Sequence, residues 1–210
     1  SVSMEYVRYM MQRINWNARL IVIRGPKGVG KSTLIKQYIK RNFDAGDRHV
    51  LYSSADTNYF STHTLIEVAE NFVKIGGQWL FIDEVHKYAR WSQEIKEIYD
   101  LYPNLHIVLS GSSLIQINDG QADLSRRLIP YDMPGLSLRE FLHLDTGLDI
   151  KPLSLDQLLD NPTAYCMQIV SLCHPLEHFG RYLQFGYYTF YFEQKQEYYD
   201  KLENTINYII

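Results

Sequence analysis

The chain has 210 residues and a mass of 24.7 kDa, enough for one domain plus an appendage and too little for two full domains. Its 21 basic and 24 acidic side chains leave a net charge of −3, so no global field draws in nucleic acid or an anionic membrane. Cys166 and Cys173 form neither a disulfide framework nor a metal-type spacing; no cationic, apolar leader opens the chain, and no apolar run nears the ~20 residues that span a bilayer. The expectation is a cytoplasmic chain with no membrane segment. Aromatic residues reach 14%, and 7 of the 17 tyrosines fall between Tyr182 and Tyr208.

Val7, Met10, Met11 and Ile14 recur at helical spacing, which places a short amphipathic helix before the first strand. Between residues 18 and 133 short apolar runs alternate with segments of helical period, the pattern of an α/β domain with a parallel sheet. Five strands are expected, at 20–23, 49–53, 79–82, 107–109 and 128–133. The first, third and fourth are continuously apolar, as strands covered on both faces must be. Pro130 cannot donate to a ladder on both sides, so the last strand belongs at an edge. Ser61 or Thr62 is expected to cap a helix running to Val73 and ending at Gly76-Gly77. A further helix carries Ile95, Ile98, Tyr99 and Tyr102 and stops at Pro103. Beyond Ser137 the segments 137–144, 154–173, 178–184 and 190–208 read as helical, with 146–152 as a linker and Cys166 and Cys173 on one buried helix face.

Gly25-Pro26-Lys27-Gly28-Val29-Gly30-Lys31-Ser32 fits G-x-x-x-x-G-K-[ST], directly after a strand and directly before a helix that takes in Thr33. Glycines let successive N–H groups converge on the phosphates of a nucleotide, and the helix N-terminus adds partial positive charge. Lys31 supplies a point charge, and the Ser32 hydroxyl is a ligand for Mg²⁺. The third strand ends in Asp83-Glu84, at the sheet edge where parallel α/β folds bind ligands. Asp83 suits the metal and Glu84 the activation of a water, although the same pair also suits a plain polar strand end. A kinase has no use for that second acid, because its acceptor is another substrate. Glu84 therefore favours hydrolysis.

The fourth strand ends in Ser110-Gly111-Ser112-Ser113. Ser110 is placed to bond a water or a phosphate oxygen, while Ser112 or Ser113 also suits a cap on a helix at Leu114-Ile115. Arg126 and Arg127 stand where a cation can reach a neighbouring subunit's phosphate, or where it simply pairs with Asp123 or Asp119. His86 is placed either toward the phosphates or on a positive face with Lys87 and Arg90, and Asp56 suits a switch or a turn.

The succession of phosphate loop, Phe-Ile-Asp-Glu-Val-His-Lys, Trp91, Leu-Ser-Gly-Ser-Ser, Ala-Asp-Leu-Ser-Arg-Arg and Pro-Gly-Leu-Ser-Leu-Arg-Glu-Phe resembles the AAA+ ATPases. It is most similar to a prokaryotic branch, related to the archaeal ATPases, in which the AAA+ domain precedes a C-terminal domain of unknown function with nuclease-like features. The resemblance spans roughly 18–145 and, more loosely, 178–208. It implies an α/β P-loop NTPase fold with a parallel sheet in the order 5-1-4-3-2, helices on both faces, and a helical lid. The ATPase core would cover 1–135 and the lid 136–210, with the effector domain outside this chain. It further implies ATP and Mg²⁺ as cofactors, with Lys31 and Ser32 in the Walker A role and Asp83 and Glu84 in the Walker B role. Ser110 becomes the polar sensor, Arg127 or Arg126 the arginine acting in trans, and Gly186-Tyr187 a lid segment near the adenine. Partners implied are a homo-oligomer or an attached effector. Two other readings stay open: a slow nucleotide-dependent regulatory switch, and a nucleic-acid-associated ATPase for which Lys36, Lys40, Arg41 and Arg48 offer only a thin basic track.

Overall fold

The computed structural model describes residues 2–112 and 122–207. They divide into two compact units, Ser1–Pro134 and Gly135–Ile210. In chain order the first contains α1 (Met10–Arg13), β1 (Leu20–Arg24), α2 (Lys31–Asn42), β2 (Val50–Ser54), α3 (Leu65–Lys74), β3 (Trp79–Asp83), α4 (Trp91–Leu101), β4 (His106–Gly111), α5 (Ala122–Ser125) and β5 (Ile129–Asp132).

All four strand pairings are parallel, and the order is β2-β3-β4-β1-β5, the expected 5-1-4-3-2 read from the other edge. The reason lies in the strands themselves. β1, β3 and β4 are buried at nearly every position and can be central only if helices cover both faces. β5 is mostly exposed, and its Pro130 sits in register with Val22 on the one strand that β5 pairs with. On one face Leu20, Val22, Leu80, Ile82, Ile107 and Leu109 pack against Leu65, Ala69 and Phe72 of α3 and Ile95 and Ile98 of α4.

The cap of α3 differs from expectation. Asn58–Ser61 form a 3₁₀ turn that spends Ser61 and Thr62 locally, and Thr64 caps the helix in a capping box with Glu67. The carboxylate of Glu94, which is buried, also accepts from the first amide of α3, Leu65 N, at 2.9 Å, and from the Tyr88 hydroxyl at 2.8 Å. The expected helix at Leu114-Ile115 and its cap Ser113 lie outside the described residues.

The second unit is helical: α6 (Leu138–Thr146), α7 (Leu155–Asp160), α8 (Pro162–Leu172), α9 (Pro175–Phe185), α10 (Phe190–Glu193) and α11 (Tyr198–Asn207). Segment 154–173 is two helices rather than one. Pro162 has no N–H to continue α7, and Asn161 instead caps α8 through Ala164 N at 3.2 Å. Segment 190–208 is also two helices, the first ending at Gln194, whose φ of −148° and ψ of 78° are not helical. The tyrosine-rich end of the chain forms this unit's own core: Phe141, Tyr191 and Tyr198 are buried, with Tyr182, Phe185, Tyr188, Phe190, Phe192 and Leu202 around them. On α11 Tyr198 is buried and Leu202 partly buried, one turn apart on the same face; the Ile206 side chain and Tyr208-Ile209-Ile210 lie outside the described residues.

The cysteines are not core residues. Cys166 is exposed and Cys173 half-buried, because α8 leaves Met167, Val170 and Leu172 in solvent. Shared helix periodicity places both on one face, but that face is not buried at Cys166.

Candidate functional site

The phosphate-loop segment leaves β1 with its first residue already fixed. Gly25 N donates to Gly111 O of β4 at 3.3 Å, and a Cβ on Gly25 would lie 2.2 Å from the Met133 carbonyl oxygen. Only glycine fits there. Gly28 and Gly30 follow with φ of 85° and 96°, and Val29 between them is fully buried, anchoring the loop in the hydrophobic interior. Gly30 is the N-cap of α2 and supplies no side-chain acceptor, so the helix's first N–H groups have no cap from it. Pro26 is half-buried, Lys27 exposed, Ser32 half-buried and Thr33 exposed.

Lys31 opens α2 and is 95% buried; its Nζ donates to the Gly25 and Pro26 carbonyls at 2.8 and 2.9 Å. Burial lowers the pKa of this ammonium, and the negative charges of Glu84 and Asp83 work against that shift. The two carboxylates and the lysine therefore share one electrostatic site, although 52 residues separate Lys31 from Asp83 along the chain.

Asp83 ends β3 and is buried, with both carboxylate oxygens bonded. Oδ1 accepts from the Ser110 hydroxyl and, at 3.2 Å, from Glu84 N; Oδ2 accepts from the Tyr52 hydroxyl at 2.7 Å. The Ser110 Oγ in turn accepts from Glu84 N at 3.1 Å. Desolvation first, and the bond to Asp83 second, push the Tyr52 hydroxyl's pKa well above its ordinary value, so it remains a donor.

Glu84 has φ 52° and ψ 38°, the one positive φ outside glycine among the described residues. Such a conformation costs about 1 kcal/mol in a non-glycine residue and persists where surrounding bonds impose it. Here its N–H is held by Ser110 and Asp83, and its Oε2 lies 3.5 Å from His86 Nε2. Ser112 N donates to His86 Nδ1 at 3.3 Å, which puts the imidazole proton on Nε2, toward Glu84. Burial lowers the His86 pKa, Glu84 opposing it. The structure thus places His86 beside Glu84.

The arginines separate. Arg127 pairs with Asp100 of α4, Nε to Oδ1 at 2.9 Å and Nη2 to Oδ2 at 3.2 Å, a partner not expected from sequence; the Asp123 side chain lies outside the described residues. Asp119 lies outside the described residues. Arg126 is exposed. Asp56 is exposed in a turn, its N–H donating to Ser54 Oγ at 3.4 Å. In the second unit Gly186 ends α9, where a Cβ would fall 2.0 Å from the Tyr182 ring, and the Tyr187 carbonyl accepts from Leu136 N at 2.8 Å.

Sequence reasoning missed Tyr52. It lies 31 residues before Asp83, and only the β2–β3 pairing, with Tyr52 in register with Phe81, brings its hydroxyl within reach. No spacing in the chain encodes that contact. For Mg²⁺, the described residues hold no cluster of three or more His, Cys, Asp and Glu side chains. A buried Asp83 carboxylate with the Ser32 hydroxyl at the start of α2 is instead the sparse, hard-oxygen donor set of a cation that keeps waters and shares phosphate oxygens. The residues fit.

A parallel sheet in this order, with a glycine loop ahead of α2 and an acid pair ending β3, defines a P-loop nucleotide-binding domain. The chain belongs to the AAA domain family, whose model matches residues 17–142. A solved structure, that of C. elegans PCH-2, is similar over 72% of this chain and 47% of its own, with 18% identity and a TM-score of 0.44. The chain thus spans about half the length of that structure. No curated protein matches the chain. No helix among the described residues is long and apolar enough to cross a membrane.

Proposed function

We propose that the first unit binds ATP with Mg²⁺ and hydrolyses it, and that turnover drives or regulates an attached or partner module. One observation carries this reading: the buried Lys31 on the loop after β1 feels the charges of the Asp83-Glu84 pair after β3, and Ser110 from β4 is bonded to both the Asp83 carboxylate and the Glu84 amide. Lys31 and the loop N–H groups hold the phosphates. Asp83 and Ser32 would hold Mg²⁺, which supplies charge neutralisation at the phosphates. Water attacks the γ-phosphorus, the bond to the bridging oxygen breaks to release ADP, and the proton of the water passes to Glu84. Ser110 fixes the Glu84 backbone, which supports its role as the sensor of that region.

The residue succession quoted above supports the prokaryotic branch whose members carry a nuclease-like C-terminal domain. A neighbouring copy would be met by Arg126, which is exposed, while Arg127 is held by Asp100. Tyr187, 41% exposed, supports a lid contact with the base.

Steady-state turnover measured beside nucleotide affinity tests the reading. Glu84→Gln keeps affinity and lowers turnover on the order of 100-fold or more, the contribution of a positioned general base. Lys31→Ala loses affinity. Unchanged turnover in Glu84→Gln, with binding abolished in Lys31→Ala, overturns the role of Glu84.

A further inference from the structure

The chain before β1 is fastened to the nucleotide loop. Arg8 is 95% buried, and its guanidinium donates from Nη1 to the Val29 carbonyl at 2.7 Å and from Nη2 to the Pro134 carbonyl at 3.0 Å. Gln37 of α2, also buried, donates to the Ser3 and Tyr6 carbonyls at 2.8 and 2.7 Å, and Trp16 stacks on Tyr38 of α2 with centroids 3.8 Å apart. Residues 3–16 are therefore a strap across the helix that begins with Lys31.

The two carbonyls that Arg8 joins have distinct positions. Val29 lies between the two positive-φ glycines of the loop. A trans peptide points its C=O and N–H in opposite directions, so holding the Val29 carbonyl on the buried Arg8 guanidinium turns the Gly30 N–H away from Arg8. Pro134 is the last residue of the first unit. The residues before it are tied to the loop as well: Arg24 pairs with Asp132 at 2.5 and 3.1 Å, Met133 N donates to Arg24 O at 2.8 Å, and Gly25 rests on the Met133 carbonyl. A buried guanidinium is stable only with its donors satisfied, and its charge-assisted bonds are stronger than neutral ones.

We propose that Arg8 is a positioning residue that sets the Gly30 amide toward a bound phosphate and couples occupancy of the loop to the segment 132–134, where the first unit ends. This rests on the nucleotide reading of the loop. It implies that residues outside the family-matched segment 17–142 tune the site and carry its state toward the second unit.

The test combines titration with a fluorescent ATP analogue and hydrogen–deuterium exchange of peptides covering 129–136, with and without saturating analogue. In the wild type, nucleotide slows exchange in those peptides. In Arg8→Gln the dissociation constant rises about tenfold, the equivalent of one lost charged hydrogen bond, and at saturation the exchange response is gone. Arg8→Lys, with a single ammonium in place of a fork, recovers part of the affinity and none of the response. Should Arg8→Gln fail to fold, Gln37→Leu loosens the same strap without removing a buried charge and is expected to diminish the response. Wild-type affinity and response in Arg8→Gln, or an undiminished response in Gln37→Leu, overturn the inference alone. A wild type that binds no nucleotide overturns the reading beneath it as well, and a wild type that binds with no exchange change overturns the coupling.

Discussion

The hydroxyl of Tyr52 donates to Oδ2 of Asp83 at 2.7 Å, so a side chain of the edge strand β2 orients the buried carboxylate assigned to the metal. Tyr52→Phe removes that donor while keeping the ring that packs beside Lys36. The Mg²⁺ concentration for half-maximal ATP turnover should rise about tenfold, the worth of one hydrogen bond to a charged group. Melting temperature should fall by a few degrees, because the buried carboxylate loses one of its donors. A Mg²⁺ titration of turnover reads the first and calorimetry the second; an unchanged Mg²⁺ requirement removes Tyr52 from the site.

Gly25→Ala places a methyl group 2.2 Å from the Met133 carbonyl oxygen, which is backbone and has no rotamer to yield. The loop or β5 must move. Denaturant unfolding should show a loss on the order of 2 kcal/mol or more, as for overpacking of a filled interior, accompanied by weakened nucleotide binding. Wild-type stability together with wild-type affinity would show that the two segments are not held in this contact.

Glu84→Gly should separate stability from activity. Glycine takes φ 52° without strain, and the substitution also removes one of two adjacent carboxylates, so the folded state should gain about 1 kcal/mol while turnover is lost. Chemical denaturation beside an ATPase assay measures both. A destabilised variant would mean that the bonds of the Glu84 side chain outweigh its backbone strain.

The folded protein keeps the His86 pKa below its ordinary 6.5 because burial disfavours the imidazolium. The unfolded chain therefore takes up the proton first as pH falls. His86's contribution to stability is fully present above 6.5 and declines as pH drops through 6.5 toward the lower folded value. Melting temperatures between pH 7.5 and 5.5 should fall more steeply for the wild type than for His86→Gln. Parallel curves would show that His86 titrates alike in both states.

The loop and the acid pair were legible because each is local. A run of eight residues between a strand and a helix declares phosphate binding, and four apolar residues followed by two acids declare a strand reaching the ligand edge. Strand placement was legible for a related reason: three wholly apolar strands must be central, and Pro130 has no N–H to give a second neighbour. The helix boundaries at Thr64 and Asn161 were less so, because several polar residues compete for each cap and only the path of the chain selects one.

Residue spacing by itself determined that this chain builds a phosphate-binding loop on a parallel sheet with an acid pair at its edge. The tertiary structure alone decided which side chains hold that pair and that loop. Tyr52, Ser110 and His86 reach the carboxylates, and Arg8 reaches the loop, across separations from 2 to 31 residues along the chain. Periodicity reports only which face of an element a side chain occupies. Hydrogen-bond partners between elements depend on strand register and on the path of the chain around the sheet, and those exist only once the core has packed.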